Sequence, residues 1–173
     1  MLDANAAERS DADDHVEPEA GPRIFLVVVD NSTEMRVALR FACTRALHTG
    51  GRVALLHVVE PAEFQHWLGV GNLMQQESRE EGEALLQRCA AEVMRLTGTP
   101  AIYYMRDGEY AEQLFKLIEE DGNISIVVLA ASDGQEGPGP IISHITSKGM
   151  QTLRIPITIV PGSLTDETIA AIA

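Results

Sequence analysis

Five short apolar runs alternate along the chain with four longer segments of helical periodicity. The runs are rich in β-branched residues, which is typical of strands that a parallel sheet buries on both faces. They cover residues 23–30, 52–59, 101–105, 124–131 and 155–160. Strands that alternate in this way with helices predict an α/β fold, a parallel sheet with helices packed on both of its faces.

The helical segments begin and end at residues with known capping roles. Either Asn31 or Ser32 can cap the first helix, Glu34 stands in the capping-box position, and Gly50-Gly51 ends the helix. The other helices are predicted over about 73–97, 109–120 and 141–153. Right-handed crossovers leave few topologies, and the flavodoxin-like and Rossmann-like arrangements both place a ligand crevice at the carboxyl ends of the strands.

The strand ends therefore supply the candidate ligand positions: Asp30-Asn31-Ser32, Val58-Val59 and the loop over 130–144. Two interpretations of Asp30 stay open, a polar group facing a ligand or a carboxylate stabilised by the nearby helix dipole. We interpret His57, inside the second strand, as a half-buried structural histidine. The chain contains no GxSxG elbow, no Walker A lysine and no HExxH motif, so no catalytic residues are assigned.

The charge balance limits the partners. The 173 residues include 13 Lys and Arg against 26 Asp and Glu, a formal net charge of −13. Such acidity argues against nonspecific binding to nucleic acid or to an anionic membrane, since both depend on Lys and Arg. The apolar runs are also far shorter than the roughly 20 residues that span a bilayer. We expect neither nucleic acid nor a membrane as a partner.

Three parts of unequal length are predicted. Residues 1–22 hold seven acids and one base, which predicts a disordered acidic tail, either solvating or acting as an interaction arm. Residues 23–161 form the folded domain, and 162–173 form a short C-terminal extension whose docking the sequence leaves open. No secretory signal is apparent and Cys43 and Cys89 form no CxxC pair, so we expect buried thiols and a cytoplasmic location. The histidines show no metal-ligand spacing.

The order and spacing of five segments resemble those of the universal stress proteins. The segments are VVVDNS, ALLHVVEP, RDGEYAEQL, IVVLAAS and IPITIVPG. The resemblance covers residues 23–161 and implies a doubly wound, Rossmann-like sheet of the adenine-nucleotide alpha-hydrolase type, with strand order 3-2-1-4-5. It also implies a homodimer that pairs through the last strand, Ile155–Val160. An apolar edge strand is an aggregation liability when unpaired, which gives the dimer an independent physical reason.

Many members of that family bind ATP, and the resemblance transfers part of their site to this chain. The family's strand-one Asp and strand-two Val, which lie near the adenosine, match Asp30 and Val58, and Asn31 and Ser32 directly follow that Asp. The family's phosphates lie on a glycine motif after strand four. Its backbone N–H groups and the following helix N-terminus favour an anion.

This chain departs from the glycine motif. Counted back from Pro156, the three glycine positions become Ala130, Asp133 and Ser143, followed by His144 and Ile145. A shift of four residues places Gly134 and Gly137 on the first two positions, but Ser147 then takes the third.

The same loop carries two negative charges where a triphosphate would lie, Asp133 and Glu136, and no Lys or Arg occurs between Lys116 and Lys148. A Mg²⁺ ion with Asp133 as a ligand would offset part of that repulsion. A smaller anion is an alternative, for which His144 would be the one cation-capable group.

Two function classes follow. The first is a non-enzymatic, dimeric stress-response or regulatory protein without tight ATP binding and with no assigned cofactor. The alternative is an ATP-binding switch or slow ATP hydrolase that uses the strand-one and strand-four loops, with ATP and Mg²⁺ as its ligands. No general base can be named for the second, so any hydrolysis would rest on the resemblance alone.

Overall fold

The computed structural model describes residues 21–61, 68–132, 134, 137–149 and 153–173, without the side chains of 68–72 and 148–149. The predicted acidic tail lies outside these residues except for its last two positions. The elements are β1 (Ile24–Val28), α1 (Met35–Thr49), β2 (Arg52–Val59), α2 (Leu68–Thr97), β3 (Ile102–Asp107), α3 (Tyr110–Glu120), β4 (Ile124–Ala131), α4 (Pro140–His144), β5 (Ile157–Pro161) and α5 (Asp166–Ile172).

All five strands form one parallel sheet in the order β3-β2-β1-β4-β5, which confirms the predicted topology. β1 is central and pairs with β2 on one side and β4 on the other, with Val27 opposite Leu55 and Val128. The connections run outward in opposite directions from β1 and β4. The switch point, where an open α/β sheet leaves a crevice, therefore lies between the carboxyl ends of these two strands.

The core consists of two layers, one on each face of the sheet. Alternate residues of β1 belong to opposite layers, as the period of two in a strand requires. Phe25 and Val27 pack with α1 and α2, whereas Leu26 and Val28 pack with α3 and α4. Every residue of β1 is buried, which confirms the interpretation of its apolar run as a strand covered on both faces.

α1 ends where the sequence predicts, at a glycine pair. Gly50 takes the left-handed conformation at φ +65°, and its N–H donates to the carbonyl of Ala46. Gly51 permits a close approach between chains, because a Cβ at this position would lie 2.6 Å from the carbonyl oxygen of Arg23. The glycine pair thus both stops the helix and lets β2 begin directly beside β1.

The prediction of a helix over 141–153 is wrong in the extent that it gives this helix. α4 covers only Pro140–His144 and continues as a π-helical turn over Ile145–Gly149, and the residues after it up to 152 lie outside those described. The Thr146 hydroxyl donates to the carbonyl of Ile142 at 2.9 Å. This side-chain bond to the preceding turn is of the kind that bends helices.

The C-terminal extension is docked as a helix on α1. Thr165 caps α5 by accepting from the N–H of Thr168 at 3.3 Å, and the Ile169 side chain is only 1% exposed. Arg45 of α1 donates to the carbonyl of Ala173 at 3.2 Å, and His48 lies 3.1 Å from the same oxygen. α5 therefore covers one side of α1 with both apolar and polar contacts.

Replacing Ile169 with Ala should destabilise the protein, because the change removes buried methyl groups and leaves a cavity under α5. We expect the free energy of unfolding in urea to fall by about 2 kcal/mol or more. Ile172→Ala on the same helix is the matched control, since this side chain is 57% exposed and its truncation should cost less than about 0.5 kcal/mol. Equal effects of the two changes would contradict the docked position of α5.

Candidate functional site

The carboxyl end of β1 opens the candidate site. One oxygen of the Asp30 carboxylate accepts from both the N–H and the hydroxyl of Ser32, at 2.9 and 2.5 Å. The Ser32 hydroxyl in turn accepts from the N–H of Met35 at 3.2 Å, so Ser32 caps α1 as the sequence allows. Asp30 thus holds the capping residue in place, which agrees with the structural interpretation of this carboxylate.

Glu34 does not complete the predicted capping box. Its carboxylate accepts from the hydroxyls of Thr33 at 3.1 Å and of Ser132 at 3.4 Å. A hydrogen bond from its own backbone N–H has the largest effect on the Glu34 carboxyl, and the bond from the Thr33 hydroxyl comes second. Together they hold the pKa of Glu34 below its ordinary value. Gly162 lies against its side chain, because a Cβ there would meet Glu34 Cγ at 2.5 Å. Glu34 therefore joins the start of α1 to the chain ends after β4 and β5.

A small cavity lies beside Asp30, between β1, β4 and the start of α4. Its volume is about 80 Å³. Its walls include Asp30, Ser32 and Ala130, together with the chain from Pro138 to Ile142. Sites for small-molecule ligands usually measure about 300–1,000 Å³, and one water occupies roughly 30 Å³. This cavity is large enough for a few waters but not for a nucleotide.

A second cavity, of about 280 Å³, lies on the other side of the end of β1. It is bounded by the ends of β1 and β2, by α2 and by the first residue of α3. Its polar lining includes two carboxylates, Glu60 and Glu81, as well as Ser78 and Asn31. No Lys or Arg is among the described residues that line either cavity. The two cavities together, called the crevice from here on, are therefore electronegative.

His57 forms the floor of the larger cavity and is hydrogen-bonded there. Its Nδ1 lies 2.8 Å from the carbonyl oxygen of Val29, to which the Tyr110 hydroxyl also donates at 3.3 Å. The two rings meet edge to face, with centroids 6.3 Å apart. Because a carbonyl oxygen can only accept, Nδ1 of the half-buried imidazole is the donor of this hydrogen bond.

α2 covers the other edge of that imidazole by means of a glycine. A Cβ at Gly82 would lie 2.4 Å from Cδ2 and 2.5 Å from Nε2 of His57. The absence of a side chain at Gly82 thus lets the helix pack directly on the histidine.

The pKa of Tyr110 responds to the burial and the negative charge of the crevice. Burial raises the pKa of its phenol to about 12, and the negative charges of Asp30 and Glu60 contribute to the rise. Tyr110 is not among the predicted site residues, although the strand-end rule could have found it. It follows the Asp107-Gly108 turn, so it begins α3 at the same carboxyl edge of the sheet.

The structure brings only some of the predicted site residues together. Asp30, Ser32 and Ala130 line the small cavity, and Asn31 and Val58 line the larger one. Asp133 lies outside the described residues. The remaining three predicted residues, Ser143, His144 and Ile145, line neither cavity.

Local geometry explains why those three are elsewhere. Ser143 donates its N–H to the carbonyl of Gly139 at 3.0 Å. The ring of His144 lies 6.4 Å from that of Phe115 on α3. The Ile145 side chain is 2% exposed, and its N–H bonds within the helix. Among the described residues, the Asp30 carboxylate accepts from Ser32 and from none of these three.

Two other kinds of site are absent from the residues that the structure describes. Within them, no group of three or more His, Cys, Asp or Glu side chains is placed to hold a metal ion. Within the same residues, no helix is both long and apolar enough to cross a membrane.

The sequence profile of the universal stress protein family matches residues 22–161, most of the chain. The protein belongs to the universal stress protein family. Among proteins of curated function, none matches it significantly in sequence.

Solved structures of other universal stress proteins share the fold of this family member. Universal stress protein UspA from Lactobacillus plantarum is 14% identical, with a TM-score of 0.69 over 80% of this chain and 97% of that one. A family member from Burkholderia pseudomallei is 22% identical, with a TM-score of 0.63 over 83% and 99%. A family protein from Arabidopsis thaliana, solved with AMP bound, is 16% identical, with a TM-score of 0.60 over 85% and 95%.

Gly82→Ala should destabilise this universal stress protein, although alanine favours a helix by about 1 kcal/mol. The new methyl group would overlap His57, and overpacking of this kind costs about 1–3 kcal/mol, so we expect a net loss of about 1 kcal/mol in urea unfolding. In a His57→Ala background the space is open, and the same change should become neutral or stabilising. A neutral effect in both backgrounds would contradict the packing of α2 on His57.

Proposed function

We propose that this universal stress protein is a non-enzymatic, dimeric regulatory protein that works without tight ATP binding. The observation that carries the proposal is the lining of the crevice. Asp30, Glu60 and Glu81 face it, no Lys or Arg among the described residues does, and the cavity nearest the end of β4 measures about 80 Å³. Like charges about 4 Å apart repel by roughly 1–4 kcal/mol near a protein surface, so a triphosphate is disfavoured.

The positions of the glycine motif support the same proposal. Ala130 and Ser143 replace two of its glycines, and the N–H of Ser143 is used inside α4. Pro138 and Pro140 bring no N–H to the loop. A phosphate cradle needs free, converging N–H groups, and the described part of this loop supplies few of them.

His57, an imidazole in the lining of the crevice, is poorly placed for catalysis. Its Nδ1 is engaged with Val29, and Gly82 of α2 lies against its Nε2. A general base must reach the proton that it removes within about 3 Å or through one water. The packing of His57 therefore favours a structural role and supports a non-enzymatic protein.

The proposed dimer pairs through β5. β5 is an edge strand, with β4 as its one neighbour in the sheet. The Pro156 carbonyl and the Gly162 N–H both bond to the β4 chain. By alternation, Ile157 and Ile159 direct their backbone groups away from β4, towards a partner strand. Ile159 is also 45% exposed, so a second copy would cover apolar surface as well as unpaired backbone.

A second candidate is binding of an adenosine monophosphate. The Arabidopsis relative was solved with AMP bound, and the positions that match the family's adenosine contacts, Asp30 and Val58, both border the crevice here. A monophosphate carries less negative charge than ATP, and the cavity of about 280 Å³ approaches the size of common ligand sites. In this case the protein would be a nucleotide-dependent switch.

Thermal melts separate the two candidates. With millimolar ATP and Mg²⁺ we expect no change in Tm, whereas a ligand at 100 times its Kd would stabilise by about 2.7 kcal/mol, or several degrees. AMP and inorganic phosphate are run in parallel, and Glu60→Gln/Glu81→Gln is the isosteric variant that removes two negative charges and should strengthen any nucleotide response. A shift specific to ATP and lost in Asp30→Ala would overturn the first candidate, and one specific to AMP would favour the second.

The dimer is tested by the removal of one backbone donor. Ile159→Pro deletes an N–H that points away from β4, so we expect a dimeric wild type and a monomeric variant in analytical ultracentrifugation. Ile159→Thr is the control, because it keeps the N–H and the β-branched shape and should remain dimeric. Circular dichroism must show that both variants are folded. A monomeric wild type, or a folded Ile159→Pro dimer, would contradict the pairing.

A further inference from the structure

A groove of about 390 Å³ lies between α1 and α2, on the face of the sheet that these two helices cover. Its volume falls within the usual range for small-molecule sites. Its floor is apolar and is built mainly from Leu39 of α1 and from Leu85, Cys89 and Leu96 of α2. An apolar floor of this kind favours a ligand with a hydrocarbon body.

The rim of the groove is cationic in a protein that is otherwise acidic. Arg36 and Arg40 of α1 and Arg88 of α2 line it. Arg36 and Arg40 stand four residues apart, where like charges repel on a helix surface. Their placement opposite Arg88 brings three guanidinium groups around one opening.

The two carboxylates at the groove already have partners. Glu92 accepts from Arg95 through both oxygens, at 2.9 and 2.5 Å. Asp166 of α5 pairs with Arg40 at 3.3 Å. These contacts neutralise the negative charges of the groove together with Arg40.

The other two guanidinium groups of the groove, those of Arg36 and Arg88, are not neutralised in this way. No ion pair among the described residues includes Arg36 or Arg88. Burial raises the pKa of the Cys89 thiol in the groove floor, and the charges of Arg88 and Arg36 partly oppose that rise. Both charges therefore act on the same part of the floor, one from each helix.

We propose that this groove binds a small amphipathic anion. Arg36 and Arg88 hold its carboxylate or a similar head group through charge-assisted hydrogen bonds. Its apolar body lies on Leu39, Leu85 and Leu96. The site is independent of the nucleotide crevice and of the dimer, so either could be absent without affecting it.

Decanoate is the probe, with decanol and acetate as its neutral and non-apolar counterparts. Calorimetry on the full chain should show saturable 1:1 binding of decanoate and at least tenfold weaker binding of each counterpart. Arg36→Ala/Arg88→Ala should weaken decanoate binding at least tenfold. Arg23→Ala/Lys116→Ala makes the same change in net charge at exposed positions outside the groove and should leave the affinity unchanged.

Leu96→Trp fills the groove without altering charge, so it should abolish binding while circular dichroism and the urea midpoint show a folded protein. The proposal is overturned if decanol binds as tightly as decanoate, which would mean that the arginines recognise nothing. It is equally overturned if acetate binds as tightly as decanoate, or if Arg36→Ala/Arg88→Ala and Arg23→Ala/Lys116→Ala change the decanoate affinity equally. The absence of saturable decanoate binding would overturn it as well.

Discussion

The crevice depends on the burial of β1 on both faces of the sheet. Its side chains alternate between two core layers, and each fully buried apolar side chain stabilises the fold by roughly 1.5–3 kcal/mol. Pairing with β2 and β4 holds both of its edges. The chain therefore leaves the sheet at a well-defined point, where the Val29 carbonyl is shared by His57 and Tyr110. The same exit positions Asp30 to hold the Ser32 cap of α1.

α1 separates two regions of opposite charge. Met35, in its first turn, borders both the small cavity beside Asp30 and the groove between the helices. On the crevice side the charged groups are carboxylates, and on the groove side they include three arginines. The net charge of the whole chain describes neither region.

The fold could be predicted from the sequence because its signals are local. The β-branched runs, the helical periodicity and the Gly50-Gly51 stop depend on neighbouring residues, and the structure confirms them. The strand order could not be predicted from such local signals, since the hydrophobic period and the element lengths leave two parallel topologies open. The resemblance of five segments to the universal stress proteins predicted it instead. Ser32 as a cap was predictable for the same local reason. The extent of α4 was not, because a π-turn after five residues leaves no signal in hydrophobic periodicity.

The site could be predicted only where it follows from strand ends. Asp30, Ser32 and Val58 lie where the sheet rule places them, whereas Ser143, His144 and Ile145 were assigned by counting along a loop whose path the count could not supply. Tyr110, Gly82 and the groove arginines join other groups only through packing between distant helices. By itself, the sequence determined the elements, the parallel sheet and the acidic balance of this chain. Tertiary structure alone decided that α5 docks on α1 and which charges meet, because these contacts join residues up to 128 positions apart and local periodicity cannot encode them.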